Sequence, residues 1–318
     1  MKLVTIDCIP GGQPGAVLES GEILHLARAA TPGTAETWLP PHLRDILGAG
    51  SEGLNLVRRM VARVEETGED AREALRATGA LLPEGTRLLA PLPSPRLIVS
   101  VGQAYRGHVA EMKGKPPSEP HGFLKAPSAV TGPFADIPLP PQAPDMVDYE
   151  GELCVVIGRA CHNVSEEEAM ACVAGYMVTN DVSARDHVPL IGKASTTPEA
   201  RHAWDLVHMG KQYPGFSPMG PALVTAEEIA DPNALELVTR VNGAVMQQAN
   251  TDDFIFPLAR VISYFSQWYA LAPGDIISTG TPGGVGYGHD PKVLMRPGDV
   301  VDVTVTGLGT LSNRFVAG

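Results

Sequence analysis

The chain predicts a mixed α/β, β-rich fold: a β-sandwich or rolled sheet preceded by a small α+β segment. Three observations carry that prediction. A length of 318 residues suffices for one large domain, or one large and one small, with a true interior. At 44% hydrophobic and 19% charged residues the chain is too apolar for disorder, and its 34 Gly and 29 Pro interrupt it too often for a coiled coil or a long bundle. From residue 97 onward short β-branched runs recur, separated by Gly, Pro, Asn and Asp at intervals that suit a sandwich or roll rather than alternating βαβ units.

The elements follow in order. LVTIDC, AVLES and EILHL, the last two flanking the turn pair Ser20-Gly21, predict a hairpin of two or three strands. Between Pro41 and Gly79 the spacing becomes helical, with Leu54, Val57, Met60, Val61 and Val64 on one face and Arg58, Arg59, Arg63, Glu65 and Glu66 on the solvated one. Residues 1–80 are therefore expected to form a small N-terminal domain. The stretch LLPEGTRLLAPLPSPR, residues 81–96, has no apolar period and carries four prolines, which makes it the natural connector to a domain over 97–318. In that second part LIVSVG, LCVVIG, GYMVTND, ALELVTRVNG, GDIISTG and VVDVTVTG predict strands. Two helices interrupt them, over 165–175 with Ser165 as N-cap and Glu168 three residues on, and over 255–269. No internal repeat is present.

Composition also excludes partners. With 24 Lys plus Arg against 36 Asp plus Glu, the net charge is 24 − 36 = −12, and no dense basic stretch offsets it, so nucleic acid is a poor partner. Cys8, Cys154, Cys161 and Cys172 lie in or beside apolar runs without C-x-x-C spacing and are expected to be buried, reduced thiols. No apolar run reaches the ~18 residues of a membrane span, and MKLVTIDCIPGG lacks the apolar core of a signal peptide, so a cytoplasmic location without membrane attachment is expected.

Chemistry concentrates in a few places. In Asp148-Tyr149-Glu150-Gly151-Glu152, leading into LCVVIG, Glu150 and Glu152 are two residues apart and share a face if the segment is extended. Such a pair is stable if exposed, if one acid is protonated, or if a hard cation such as Mg²⁺, Mn²⁺ or Ca²⁺ lies between the carboxylates. Asp181, at the end of GYMVTND, could supply a third carboxylate, with Asp186 as competitor or as the ion-pair partner of Arg185; a plain strand-ending turn is the alternative. His108 and Glu111 share a face if the chain is helical after LIVSVGQAYRG, so that the acid could orient the imidazole as a base; a surface pair is the alternative. The segment TGTPGGVGYG lacks the G-x-G-x-x-G register, and neither Gly192-Lys193 nor Gly210-Lys211 is followed by Ser or Thr, which disfavours nucleotide binding. Its hydroxyls and N–H groups suit a carboxylate or an oxyanion instead, or form a simple turn.

The ordered segments VGQAYRGHVAEM, FLKAPSAVTGP, DYEGELCVVIG, GYMVTNDVSARD, VNGAVMQQANTDDFIF, APGDIISTGTPGGVG and RPGDVVDVTVTGLGTLSNR resemble the catalytic domain of the fumarylacetoacetate hydrolase family over about residues 95–316. Residues 1–80 resemble the smaller N-terminal domain of many bacterial members. The resemblance implies the family's β-sandwich-like roll, a divalent ion, usually Mg²⁺, and a homodimer. It places the metal carboxylates on Glu150, Glu152 and Asp181, the lid-helix dyad on His108 and Glu111, and the active-site lysine on Lys211, with Lys193 as fallback. Substrate contacts are implied for Tyr105, Arg185, Thr279, Gly280 and Thr281. Two departures stand out: Ala104 where the family commonly has Asn, and the segment between Arg185 and Lys211, with His202 and Trp204. The implied activity is metal-dependent hydrolysis of a carbon–carbon bond in a small 2,4-diketo acid, an acylpyruvate, to pyruvate and a carboxylic acid. Oxaloacetate-type decarboxylation and hydroxymuconate-type isomerisation are the alternatives on the same site. A retired, non-catalytic scaffold is disfavoured because neither a ligand nor the dyad is lost.

Overall fold

The computed structural model describes residues 1–318. Its large sheet of twelve strands places in hydrogen-bonded order Leu81–Leu82, Ile23–His25, Gln13–Val17, Lys2–Ile6, Ser217–Thr225, Val173–Asn180, Gly151–Ile157, Ile276–Ser278, Ile98–Val101 and Gly122–Leu124, with two short strands off this path. A second sheet of five runs Ala244–Asn250, Glu236–Val241, Val300–Val305, Gly309–Val316 and Asp136–Pro138. The fold is thus mixed α/β and β-rich, as the recurrent β-branched runs predict.

Why LCVVIG is apolar at every position follows from its place. The Gly151–Ile157 strand is central and buried throughout, so both of its faces need apolar cover. Leu153, Val155 and Ile157 join the 39-residue core shared with the second sheet, where Leu237, Val301, Val303, Leu311 and Phe315 meet them. Cys154 and Val156 face the other way, into a 24-residue core closed by Ile46, Val57, Met60 and Val64 of the N-terminal helices. The outer strand Val300–Val305, by contrast, alternates buried and half-buried residues, as a strand with one packed face must.

That second core bears on the organisation of the chain. The helical stretch resolves into Leu43–Gly48, Gly50–Glu65 and Glu69–Ala77, the first break falling at Ala49, just before Gly50, whose φ of 62° lies in the left-handed region. Lys2–Ile6 pairs antiparallel with Ser217–Thr225, Leu3 opposite Leu223. The large sheet therefore runs from the N-terminal 80 residues into the later ones, and the Pro-rich stretch over 81–96 adds the short strands Leu81–Leu82 and Leu88–Leu89 to it and Ala90 and Leu92 to the core.

Three local expectations resolve clearly. Ser165 and Glu168 form a reciprocal capping box, on a short helix of Glu166–Ala169 that tightens into a 3-10 turn. The last expected helix spans Leu258–Trp268. The cysteines are all free, but Cys8 is exposed: it lies in the turn between the paired strands Lys2–Ile6 and Gln13–Val17, so the expectation that all four are buried is corrected there. No helix is long and apolar enough to cross a membrane.

Candidate active site

The antiparallel register sets Gly151 opposite Asn180, so the start of one central strand and the end of the next meet at one edge of the sheet. Glu150 and Glu152 flank that first position, and Asp181 follows the second, its N–H donating to the Glu150 carbonyl at 2.8 Å. One oxygen from each of Glu150, Glu152 and Asp181 lies within 4.8 Å of the others, and all three side chains are buried. The exposed strand end weighed for Glu150 and Glu152 is thereby excluded.

Three cations share the cluster. The Lys211 ammonium donates to Glu150 Oε2 at 2.5 Å and to Asp181 Oδ2 at 2.8 Å. Arg185 donates to Glu150 Oε1 at 2.5 Å and to Asp148 Oδ2 at 3.0 Å. Lys125 donates to Asp181 Oδ1 and, at 2.6 Å, to the Phe216 carbonyl. Lys193, the alternative lysine, is exposed on a short helix, and Asp186 pairs with His187 at 3.1 Å, leaving Arg185 to the buried acids.

Neighbours set opposite protonation tendencies on the two glutamates. Burial raises the Glu150 carboxyl, but Lys211 and Arg185 outweigh it and bring the group to about 2. Glu152 lacks such a partner: burial, then the charges of Asp181 and Glu150, push it up to about 8. Four buried acids, Asp148 included, face three cations, so the charges balance while Glu152 keeps its proton and the cluster is one positive charge short once it ionises. Hard oxygen donors that converge while short of a cation fit a divalent ion held by Glu150, Glu152 and Asp181.

The acid–base pair sits on the helix Arg106–Glu111, with His108 Nδ1 3.4 Å from Glu111 Oε2. Glu111 Oε1 also accepts from the Gly284 N–H at 3.0 Å, tying this helix to the glycine-rich segment. Burial raises the Glu111 carboxyl, yet the His108 ring and the Gly284 N–H together hold it below the ordinary value. Nδ1 committed to Glu111 leaves the Nε2 lone pair for proton transfer.

The glycine-rich segment is built into the site. The Gly280 N–H donates to Glu152 Oε2 at 3.0 Å, and Ser278 Oγ donates to the same oxygen. Thr279 and Thr281 direct their hydroxyls to the carbonyls of Leu153 and Gly151, at 2.9 and 3.0 Å, so in this conformation they fasten the loop to the Glu152 strand. Tyr105 is fully buried and its hydroxyl has no hydrogen-bond partner. Burial and the nearby Glu152 charge both hold that phenol in its protonated, donating form.

Two groups escaped the sequence reading. Lys125 sits in FLKAPSAVTGP as a lone cation among apolar residues, which was the available signal. Asp148 opens the acidic motif two residues before Glu150; it accepts from Arg185, from the N–H groups of Gly286 at 2.8 Å and Tyr287 at 3.1 Å, and from its neighbour Tyr149. It thereby joins the far end of the glycine-rich segment to the Arg185–Glu150 pair.

A β-rich roll that gathers three buried carboxylates near a His–Glu pair has the make-up of an enzyme with a candidate divalent-metal site. The family profile described as fumarylacetoacetate (FAA) hydrolase C-terminal matches residues 97–316, and the chain belongs to that family. Human oxaloacetate tautomerase FAHD2A, mitochondrial, is 37% identical over 287 residues, covering 87% of this chain and 88% of that protein. Oxaloacetate tautomerase YisK of Bacillus subtilis (strain 168) is 33% identical over 306 residues, 95% of each. Among solved structures, maleylpyruvate hydrolase from Sphingobium sp. SYK-6 in complex with manganese (II) ion and pyruvate has a TM-score of 0.70 at 27% identity, with 100% of both chains covered.

Proposed function

We propose that this enzyme moves a proton at C3 of a 2-oxo acid, interconverting enol and keto forms of an oxaloacetate-type substrate. The observation that carries the reading is the His108–Glu111 pair, tied to the glycine-rich segment that also binds Glu152 of the carboxylate cluster. Relatives named oxaloacetate tautomerase, similar along nearly the whole chain, support it. A divalent ion held by Glu150, Glu152 and Asp181, with Mg²⁺ or Mn²⁺ the best candidates, would supply Lewis acidity to the carboxylate and 2-oxo oxygens. His108 Nε2 takes the proton from C3 of the keto form and the enolate 2-oxygen takes one from water to give the enol, or, in reverse, the enol oxygen gives its proton to water and His108 returns one to C3, while Glu111 keeps the ring oriented. Lys211 places an ammonium beside the cluster where negative charge develops on the 2-oxygen. The buried Tyr105 hydroxyl has no hydrogen-bond partner, and Arg185 holds Glu150 in place.

Hydrolytic cleavage of an acylpyruvate is the second reading. It uses the same pair to take a proton from water, which then attacks the C4 carbonyl, and the similarity to a maleylpyruvate hydrolase favours it. The decisive experiment follows the ultraviolet absorbance of enol-oxaloacetate in parallel with pyruvate release from oxaloacetate and acylpyruvates, with added Mg²⁺ and then with chelator. Chelator-sensitive ketonisation without pyruvate supports the tautomerase. Pyruvate from acylpyruvates, with ¹⁸O from water in the released acid, replaces it with the hydrolase. Silence on all substrates in the presence of metal overturns both.

A further inference from the structure

The link between two of the clustered carboxylates is a glycine, the residue with the most backbone freedom to lose on folding. Gly151 separates Glu150 from Glu152 at the start of the strand Gly151–Ile157. Toward Asn180 the backbone beside it is pinned, the Glu150 N–H donating to Asn180 Oδ1 at 2.8 Å and the Glu150 carbonyl accepting from the Asp181 N–H. On its other flank the ladder with Ile276–Ser278 begins only at Cys154, opposite Ser278, and the Thr279 N–H extends it to the Leu153 carbonyl at 3.0 Å. The N–H and C=O of Gly151 lie beyond that end.

Side chains take over there. Gln247 Oε1 accepts from the Gly151 N–H at 3.0 Å, Gln247 Nε2 donates to Thr281 Oγ1 at 2.8 Å, and Thr281 Oγ1 donates to the Gly151 carbonyl at 3.0 Å, closing a ring. Nε2 also donates to the Pro282 carbonyl at 3.0 Å, so both ends of the amide are used and its orientation is fixed. The glutamine comes from the second sheet. It is the one buried residue of the strand Ala244–Asn250, and the pairing with Glu236–Val241 slips beside it: Thr239 faces Gln247, but Arg240 faces Val245, leaving Met246 over. A bulge of this kind re-aims a side chain. The fit around the glycine is close, since a Cβ on Gly151 would fall 2.1 Å from Thr239 Oγ1 and 3.3 Å from Gln247 Oε1.

We propose that Gln247 is a positioning residue of the metal centre: by closing the ring with Thr281 around Gly151 it fixes the spread of Glu150 and Glu152, and so sets how tightly the site takes a divalent ion. This rests on the reading above that these carboxylates hold the ion. Groups that orient metal ligands without touching the ion are worth about 10–100-fold in its affinity.

Mn²⁺ binding to the full-length protein, followed by the electron paramagnetic resonance signal of the free ion, tests the role without turnover, with thermal melting of the same samples alongside. Gln247→Met and Thr281→Val are each expected to weaken Mn²⁺ about 10–100-fold. The double variant is expected to bind no more weakly than the worse single one, because either change opens the same ring. Thr281→Val, which keeps the side-chain shape, decides the question should Gln247→Met not fold. A lower melting temperature with Mn²⁺ affinity unchanged would make the ring purely structural and overturn the proposal, and losses that multiply in the double variant would overturn the shared ring. Wild-type protein that takes up no Mn²⁺ overturns the metal reading and the role of Gln247 with it, whereas wild-type binding matched by both variants overturns that role alone.

Discussion

Glu150 and Glu152 are chemically identical side chains two positions apart, yet their surroundings drive them in opposite directions. Two cations hold Glu150 ionised, whereas burial and the charges of Asp181 and Glu150 outweigh the pull of Lys211 on Glu152. A carboxyl raised above its unfolded value binds its proton more tightly in the folded protein. Its contribution to stability is complete below the unfolded value and is lost as pH rises through about 8. A metal must displace that proton, so affinity for Mg²⁺ or Mn²⁺ is expected to climb between pH 6.5 and about 8 and level off above, with proton release near neutrality. Titration calorimetry in buffers of unlike ionisation enthalpy measures the release; a pH-independent affinity would refute the assignment. For the dyad, His108→Asn is expected to lower kcat by about 10²–10⁴ with KM and metal affinity little changed. A rise in KM alone would make His108 a binding residue.

At the scale of elements, the glycine-rich segment after Ile276–Ser278 does the joining. It reaches Glu152 through Gly280, Glu111 through Gly284 and Asp148 through Gly286 and Tyr287, so dyad and carboxylates share one support. A Cβ at Gly286 would fall 1.8 Å from the Val293 carbonyl oxygen and 2.7 Å from Asp148 Oδ1. Gly286→Ala should therefore displace the segment at a cost of roughly 1–3 kcal/mol in stability, with turnover falling as Asp148 loses its N–H donors. Denaturant unfolding and kcat on the same sample check both. An unchanged enzyme would show that the segment moves freely. Helix and strand existence was legible here from periodicity: the stripe Val57, Met60, Val64 and the capping box at Ser165 are local signals, and both formed. The position of Thr279 and Thr281 was not, because whether a hydroxyl faces substrate or a neighbouring carbonyl depends on the strand beside it.

Across the whole molecule, the N-terminal helices and the central strands share one core. Met60, Val57 and Ile46 pack with Cys154, Val156 and Leu223. Met60→Ala is accordingly expected to cost about 2–5 kcal/mol and to destabilise the entire chain in a single thermal transition. Two separated transitions, with only the first moved, would instead make residues 1–80 an independent unit. The homodimer implied by the family resemblance is proposed as the solution state, and light scattering should return twice the 33.6 kDa chain mass; the monomer mass would refute it. The sequence by itself determined the β-rich class, the strands Gly151–Ile157 and Val300–Val305, the helix over Leu258–Trp268 and the Glu150–Glu152 pairing, because each was written in a local period or motif; the helix Thr197–Met209 and the central strand Ser217–Thr225 were not. Only the tertiary structure decided that Glu150 and Glu152 are buried and that Lys125 and Asp148 complete the charge network. Those outcomes depend on which distant segments share a sheet edge, and hence on burial and charge pairing between residues tens of positions apart.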